Sequence, residues 1–142
     1  MVGYSLRETA TGLMGEFVAA SAVMAQGWSV SLCQQDGLDL VAFKDDCFIR
    51  IQVKTANLTK ATPGKSRCYH FNCGKGSSGK RILNVGDCDV LALCNPDSRL
   101  VLWMPIQQVC FKSKRVSPDA FTRRAEMDTW DKTIEKILGA RR

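Results

Sequence analysis

"GLDLVAFKDDCFIRIQVKTA", residues 37–56, is the stretch whose reading decides the fold. Two apolar-rich segments flank Asp45-Asp46, the pattern of a β-hairpin closed by a tight turn. With Lys44 opposite Cys47, Asp39 falls opposite Gln52. Opposed side chains project to one face with Cβ atoms about 5 Å apart. Lys54 lies on that face roughly 7 Å further along, together with Phe48 and Arg50. Cys47, Ile49, Ile51 and Val53 point into the other, apolar layer. A slip of one residue would turn Asp39 away. In this register Asp39, an amide oxygen and a lysine share one patch. Mg²⁺ prefers hard oxygen ligands, and a lysine suits a phosphate oxygen. A solvated cross-strand Asp–Lys pair around a neutral glutamine satisfies the same spacing.

Outward from the hairpin, the other elements follow from periodicity. Thr11 to Gln26 reads as a helix with Leu13, Phe17, Ala20 and Met24 on one apolar stripe and Gly27 as its stop. Glu16 falls at the edge of that stripe. "WSVSLC" (28–33) alternates as a strand, and "LVLWM" (100–104) reads as another. "DVLALC" (89–94) is a continuous apolar run, the mark of a central strand covered on both faces. Ser117-Pro118 resembles a helix start, opening a C-terminal helical region over about 117–140. Trp130, Ile134, Ile137 and Leu138 form its buried face.

The 142 residues suffice for one domain, 1–142, with its own core. Net charge is +6 and the isoelectric point about 9.1, which favours an acidic partner, nucleic acid first. The positive charge is concentrated in a basic, Gly-rich insertion over about 57–81. It carries Lys60, Lys65, Arg67, Lys75, Lys80 and Arg81 and not one Asp or Glu. Its "GKGSSGK" lacks the GxxxxGK[ST] spacing of a nucleotide-binding loop. A basic arm along a phosphate backbone fits it, as does a solvated surface loop. Seven cysteines without a CxxC read as buried free thiols of a reducing compartment. Cys68, His70 and Cys73 in "CYHFNC" have zinc-ligand chemistry, but on a strand Cys73 points away from the other two. A strand edge is the preferred reading there. No run is long and apolar enough to span a membrane.

Asp39, then a turn, then "QVK" at 52–54 resembles the PD-(D/E)xK nuclease superfamily, in its variant with Gln in the (D/E/Q)xK motif. Glu16 on the preceding helix resembles that superfamily's frequent helical acid. The order of elements, through "DCDVLAL" and "LVLWMPI", is similar to a branch containing a homing endonuclease and small phage or bacterial proteins. Archaeal-type Holliday-junction resolvases are more distant relatives. The likeness covers roughly residues 11–110. No proline precedes Asp39, Asp36 is a possible substitute acid, and Gln52 stands where a carboxylate is usual.

The resemblance implies an α/β restriction-endonuclease-like core: a central mixed β-sheet of about five strands flanked by helices. It implies a Mg²⁺-dependent DNA endonuclease, with Mn²⁺ able to substitute, acting on a branched structure or a specific site. Glu16, Asp39, Gln52 and Lys54 would be catalytic. Asp39, Gln52, the Val53 carbonyl and Glu16 would hold metal. Lys112, Lys114 and Arg115 would join the basic insertion in contacting DNA, with Arg123 and Arg124 nearby. Cutting both strands implies a homodimer or larger symmetric assembly, and the family resemblance an intracellular, cytoplasmic setting in a microbe or phage. A nucleic-acid-binding module that has lost its chemistry is the alternative that Gln52 keeps open.

Overall fold

The computed structural model describes the backbone of residues 2–35, 38–76 and 80–142, and side chains within those ranges from residue 10 onward, other than 34 and 35. Asp36 and the centre of "GKGSSGK" lie outside the described residues. The helix α1 (Val2–Ala25) is followed by strands β1 (Ser29–Gln35), β2 (Leu38–Lys44), β3 (Cys47–Thr55) and β4 (Tyr69–Asn72). Then come β5 (Val90–Asn95), β6 (Leu100–Pro105), β7 (Ser113–Val116) and a final helix α2 (Arg123–Ala140). The main sheet has the order β1-β2-β3-β5-β6. Its β3–β5 pair is parallel and its other pairs are antiparallel, so the sheet is mixed. This is the five-stranded restriction-endonuclease-like α/β architecture, and β4 and β7 form a separate two-stranded sheet.

Every residue of β5 is buried, because both of its faces are covered. On one face Val90, Ala92 and Cys94 join Leu40, Ile49 and Ile51 beneath the two helices. Trp130 of α2 packs edge-on against Trp103 at 4.8 Å and against Trp28 at 6.0 Å, which ties the sheet to both ends of the chain. On the other face Leu91 and Leu93 meet Tyr69, Phe71, Val116 and Phe121. Among the described residues, the crossover between the parallel strands β3 and β5 contains no helix; it carries β4. At the sheet's edge, the Val101 N–H of β6 donates to Glu126 Oε2 at 2.8 Å, and the Trp103 N–H donates to Thr129 Oγ1 at 3.1 Å. The helix α2 therefore satisfies donors that an open edge would expose.

Three expectations need correction. The helix α1 starts at Val2, well before Thr11. Its buried face is Gly15, Ala19, Ala20 and Val23, whereas Leu13, Phe17 and Met24 are exposed. Both stripes have helical spacing, so periodicity alone does not choose between them. The small one wins because it allows close approach: a Cβ at Gly15 would fall on the Thr55 hydroxyl at the end of β3. Ser117 caps a 3-10 turn at Pro118–Ala120, and α2 begins later, capped by Thr122 through the Ala125 N–H. Of its expected apolar face, Trp130 and Ile137 are buried while Ile134 and Leu138 are half-buried.

All seven cysteines are free, but only Cys73, Cys88 and Cys94 are buried, and Cys110 is exposed. Burial pushes the Cys88 thiol up to about 11 and the Cys94 thiol up to about 12, so both are inert fillers of the core.

Candidate active site

The hairpin adopts the register read from its turn, with Lys44 opposite Cys47 and Leu40 opposite Ile51. Beyond that last pair the side chain of Asp39 takes over from the ladder. Its Oδ2 accepts from the Gln52 amide Nε2 at 3.0 Å and from the Val53 N–H at 2.8 Å. The carboxylate is thus fixed by two donors from the partner strand, one of them backbone. Gln52 is only 9 % exposed, and its amide oxygen is buried without a hydrogen-bond partner. An acceptor in that state is costly unless something electropositive meets it.

Glu16 reaches this carboxylate from α1. The Gly15–Thr55 contact seats the helix on the end of β3, and the next side chain turns toward Asp39. Partial burial pushes the Glu16 carboxyl up to about 7, reinforced by its hydrogen bond to Asp39 and by the Asp39 charge. The Glu16 carboxyl therefore keeps its proton at moderately acid pH, where it lies against Asp39. Lys54 is half-buried, and its charge acts on the Cys73 thiol together with that of Lys114. Glu16, Asp39, Gln52 and Lys54 thus come from two elements, α1 and the β2–β3 hairpin, to one end of the sheet.

The donor set fits a hard divalent ion. It offers two carboxylates, the unpartnered Gln52 oxygen and the neighbouring Val53 carbonyl. Among the described residues no three His, Cys, Asp or Glu side chains converge. Cys68, His70 and Cys73 therefore form no zinc knuckle; Cys68 Sγ instead accepts from Arg115 at 3.7 Å, and Cys73 is buried.

The basic residues separate into two groups. Lys75 and Arg81 are engaged by Asp87, at 3.1 and 2.7 Å. The Arg81 guanidinium above all holds that carboxyl well below the usual range. These two cations organise the insertion, and Asp87 was not anticipated because it lies beyond the acid-free segment. Arg67 donates to the Thr59 carbonyl at 2.9 Å, and Lys114 Nζ sits 5.0 Å from the centroid of Phe111. Lys60, Lys65, Lys80, Lys112 and Arg115 are exposed. Arg50, on the hairpin's polar face, is drawn away from the site to Asp89 at 3.1 Å. Arg141 of the C-terminus also reaches Asp89 at 3.4 Å and donates to the Phe48 carbonyl at 2.8 Å. Asp89 was likewise missed as a structural centre.

The fold and the Glu16–Asp39 pair at the end of the hairpin agree with the comparison with known proteins. The family model described as PD-(D/E)XK endonuclease matches residues 7–125. The chain belongs to the PD-(D/E)XK endonuclease family, whose members generally use divalent metals. Among solved structures, it is similar to a bacterial homing endonuclease, I-Ssp6803I, with a TM-score of 0.71 and 16% sequence identity. That match covers 94% of this chain and 97% of the other. No curated protein matches the chain in sequence. No helix among the described residues is long and apolar enough to cross a membrane.

The raised Glu16 carboxyl has a thermodynamic consequence. Between about 4.5 and about 7 the folded protein holds a proton that the unfolded chain has released. Stability conferred by that proton is present below this window and is lost as pH rises through it. In metal-free protein, Glu16→Gln should remove that loss. Urea midpoints of wild type and variant, measured across this range, should diverge as pH rises, with the wild type falling; parallel curves would contradict the shift.

Proposed function

We propose that residues 1–142 act as one nuclease domain that hydrolyses phosphodiester bonds in DNA with Mg²⁺, for which Mn²⁺ can substitute. The observation that carries this reading is Asp39, pinned by Gln52 and Val53, with the Glu16 carboxyl against it. Asp39, the Gln52 oxygen and the Val53 carbonyl would hold the ion, with Glu16 binding through water or at a second ion. A divalent ion held there would supply positive charge to the phosphate and to the attacking water. Around it the protein's own groups have separate roles. Asp39 is held rigid by its two donors. With an ion bound, the Glu16 carboxyl would release its proton to solvent and add a second negative charge beside Asp39. Lys54 orients the attacking water and stabilises the charge that develops on phosphorus oxygens. Lys60, Lys65, Lys80 and Lys112 would lie along the phosphate backbone, with Arg67 and Lys114 at its margins, and Arg115 would contact the same DNA. Lys75 and Arg81 would contribute while tied to Asp87. Seven free thiols fit a reducing, intracellular setting.

Asp39→Ala and Lys54→Ala should each abolish Mg²⁺-dependent cleavage and leave the circular dichroism of the fold unchanged. A panel of labelled duplex, single-strand, flap and four-way-junction DNA reads the substrate class in the same assay. Cleavage that persists in either variant sinks the assignment. Binding without any cleavage by the wild type would instead support an inactive nucleic-acid-binding module.

A cut through both strands needs two such sites, and a homodimer supplies them. The outer face of α1 is suited to that contact. Phe17 is 53% exposed and Met24 56%, and with Leu13 and Met14 they are large apolar groups left outside the core. Leu13, Met14 and Phe17 line a groove of about 620 Å³, bordered by Arg99 and Arg123. A homodimer through α1 would place Glu16 beside the interface. Sedimentation should show a dimer for the wild type and a monomer for Phe17→Glu, whereas a monomeric wild type would rule the contact out.

A further inference from the structure

The small sheet formed by β4 and β7 is unlike the rest of the molecule, because it has one apolar face and one face of hydrogen-bonding side chains. Tyr69 pairs with Val116 and both are buried, while Phe71 is buried opposite the half-buried Lys114. The alternate pairs, His70 opposite Arg115 and Asn72 opposite Ser113, point the other way. Asn72, Ser113 and Arg115 are exposed and His70 is half-buried. The ribbon is rigidly mounted. The Tyr69 hydroxyl donates to Asp97 at 2.6 Å, and the Tyr69 ring lies 5.5 Å from that of Phe121. Its strands remain joined past the last pair, where the Cys73 N–H donates to the Lys112 carbonyl at 2.8 Å.

We propose that this outward face of the β4–β7 ribbon enters the major groove of duplex DNA and reads base edges through Arg115, Asn72, His70 and Ser113. The inference rests on the DNA endonuclease reading above and adds to it the element that sets sequence preference. A two-stranded ribbon has the size the major groove admits. The residue types are those that discriminate bases there, since Arg pairs with the guanine edge, Asn with the adenine edge, and Ser with either. The two outer pairs are about 7 Å apart along the strands, which matches two base-pair steps of about 3.4 Å each. Neither the ribbon's outer pairs nor the flanking Arg67 and Lys112 include an acid that would repel phosphate. The position suits the chemistry as well. The strand β4 lies against β3, which carries Gln52 and Lys54, so the ribbon adjoins the site where the strand would be cut. The Arg115 contact with Cys68 Sγ is a weak one that leaves its remaining donors for a base.

The test is selection from a library of duplexes with a randomised central segment, bound without divalent ion so that no strand is cut. The wild type should enrich a sequence motif. N72A/R115A should lose about 10-fold of the preference at each of two positions two base pairs apart. R115K keeps the charge and should shift the preference while leaving the salt dependence of binding at the wild-type slope. K65A is the contrasting case: it should weaken all sequences alike and lower the salt slope by about one. An unchanged motif in N72A/R115A overturns the proposal, as does a uniform loss over all sequences. A wild type that cleaves DNA but enriches no motif overturns the ribbon and leaves the nuclease reading standing. A wild type that neither binds nor cleaves DNA brings down both.

Discussion

One oxygen atom, Asp39 Oδ2, is the point on which the candidate site depends. It accepts from Gln52 Nε2 and from the Val53 N–H, so the β2–β3 ladder passes at its end into a side-chain clamp. A glutamate at position 52 would bring a second acceptor to Asp39 and would repel it. Glutamine brings a donor to Asp39 and leaves a neutral oxygen, buried and without a partner. The substitution that weakens the likeness to the usual motif therefore has a physical use. It holds the Asp39 carboxylate in place without adding charge, at the expense of one ligand charge toward a cation.

The rest of the fold serves this arrangement by fixing where α1 and β3 meet. Gly15 lets the helix backbone rest on Thr55, and Glu16 is carried to Asp39 as a result. Beneath, Ile49 and Ile51 belong to the core under both helices, and β5 runs parallel to β3 in a fully buried slot. Asp89, at the entry to β5, holds Arg50 and Arg141 and so ties the hairpin to the end of α2. The same helix that presents Glu16 inward leaves Leu13, Met14 and Phe17 exposed on its other side.

Much of this was legible in the sequence because short-range rules governed it. The Asp45-Asp46 turn set the hairpin register, and register alone placed Asp39 opposite Gln52 with Lys54 on the same face. The apolar run of β5 announced a strand buried on both sides. Legibility failed where two choices obeyed the same rule. In α1 the Leu13–Phe17–Met24 stripe and the Gly15–Ala19–Val23 stripe have one period, and only the close approach to Thr55 decides between them. It also failed for long-range ion pairs: Asp87 engaging Lys75 and Arg81 cannot be seen in an acid-free segment read by itself. The β4–β7 pairing joins residues distant in sequence, and nothing local to "SKRV" identifies its partner.

Calorimetric titration of Mg²⁺ or Mn²⁺ into metal-free protein, repeated in buffers of different ionisation heat below pH 7, tests the centre of this picture. Binding is expected in the wild type together with release of a proton, because a cation held at Asp39 would favour the ionised form of the Glu16 carboxyl. Glu16→Gln should bind without that release, and Asp39→Ala should not bind. Binding that survives unchanged in Asp39→Ala, or a wild type that takes up no divalent ion, would contradict it.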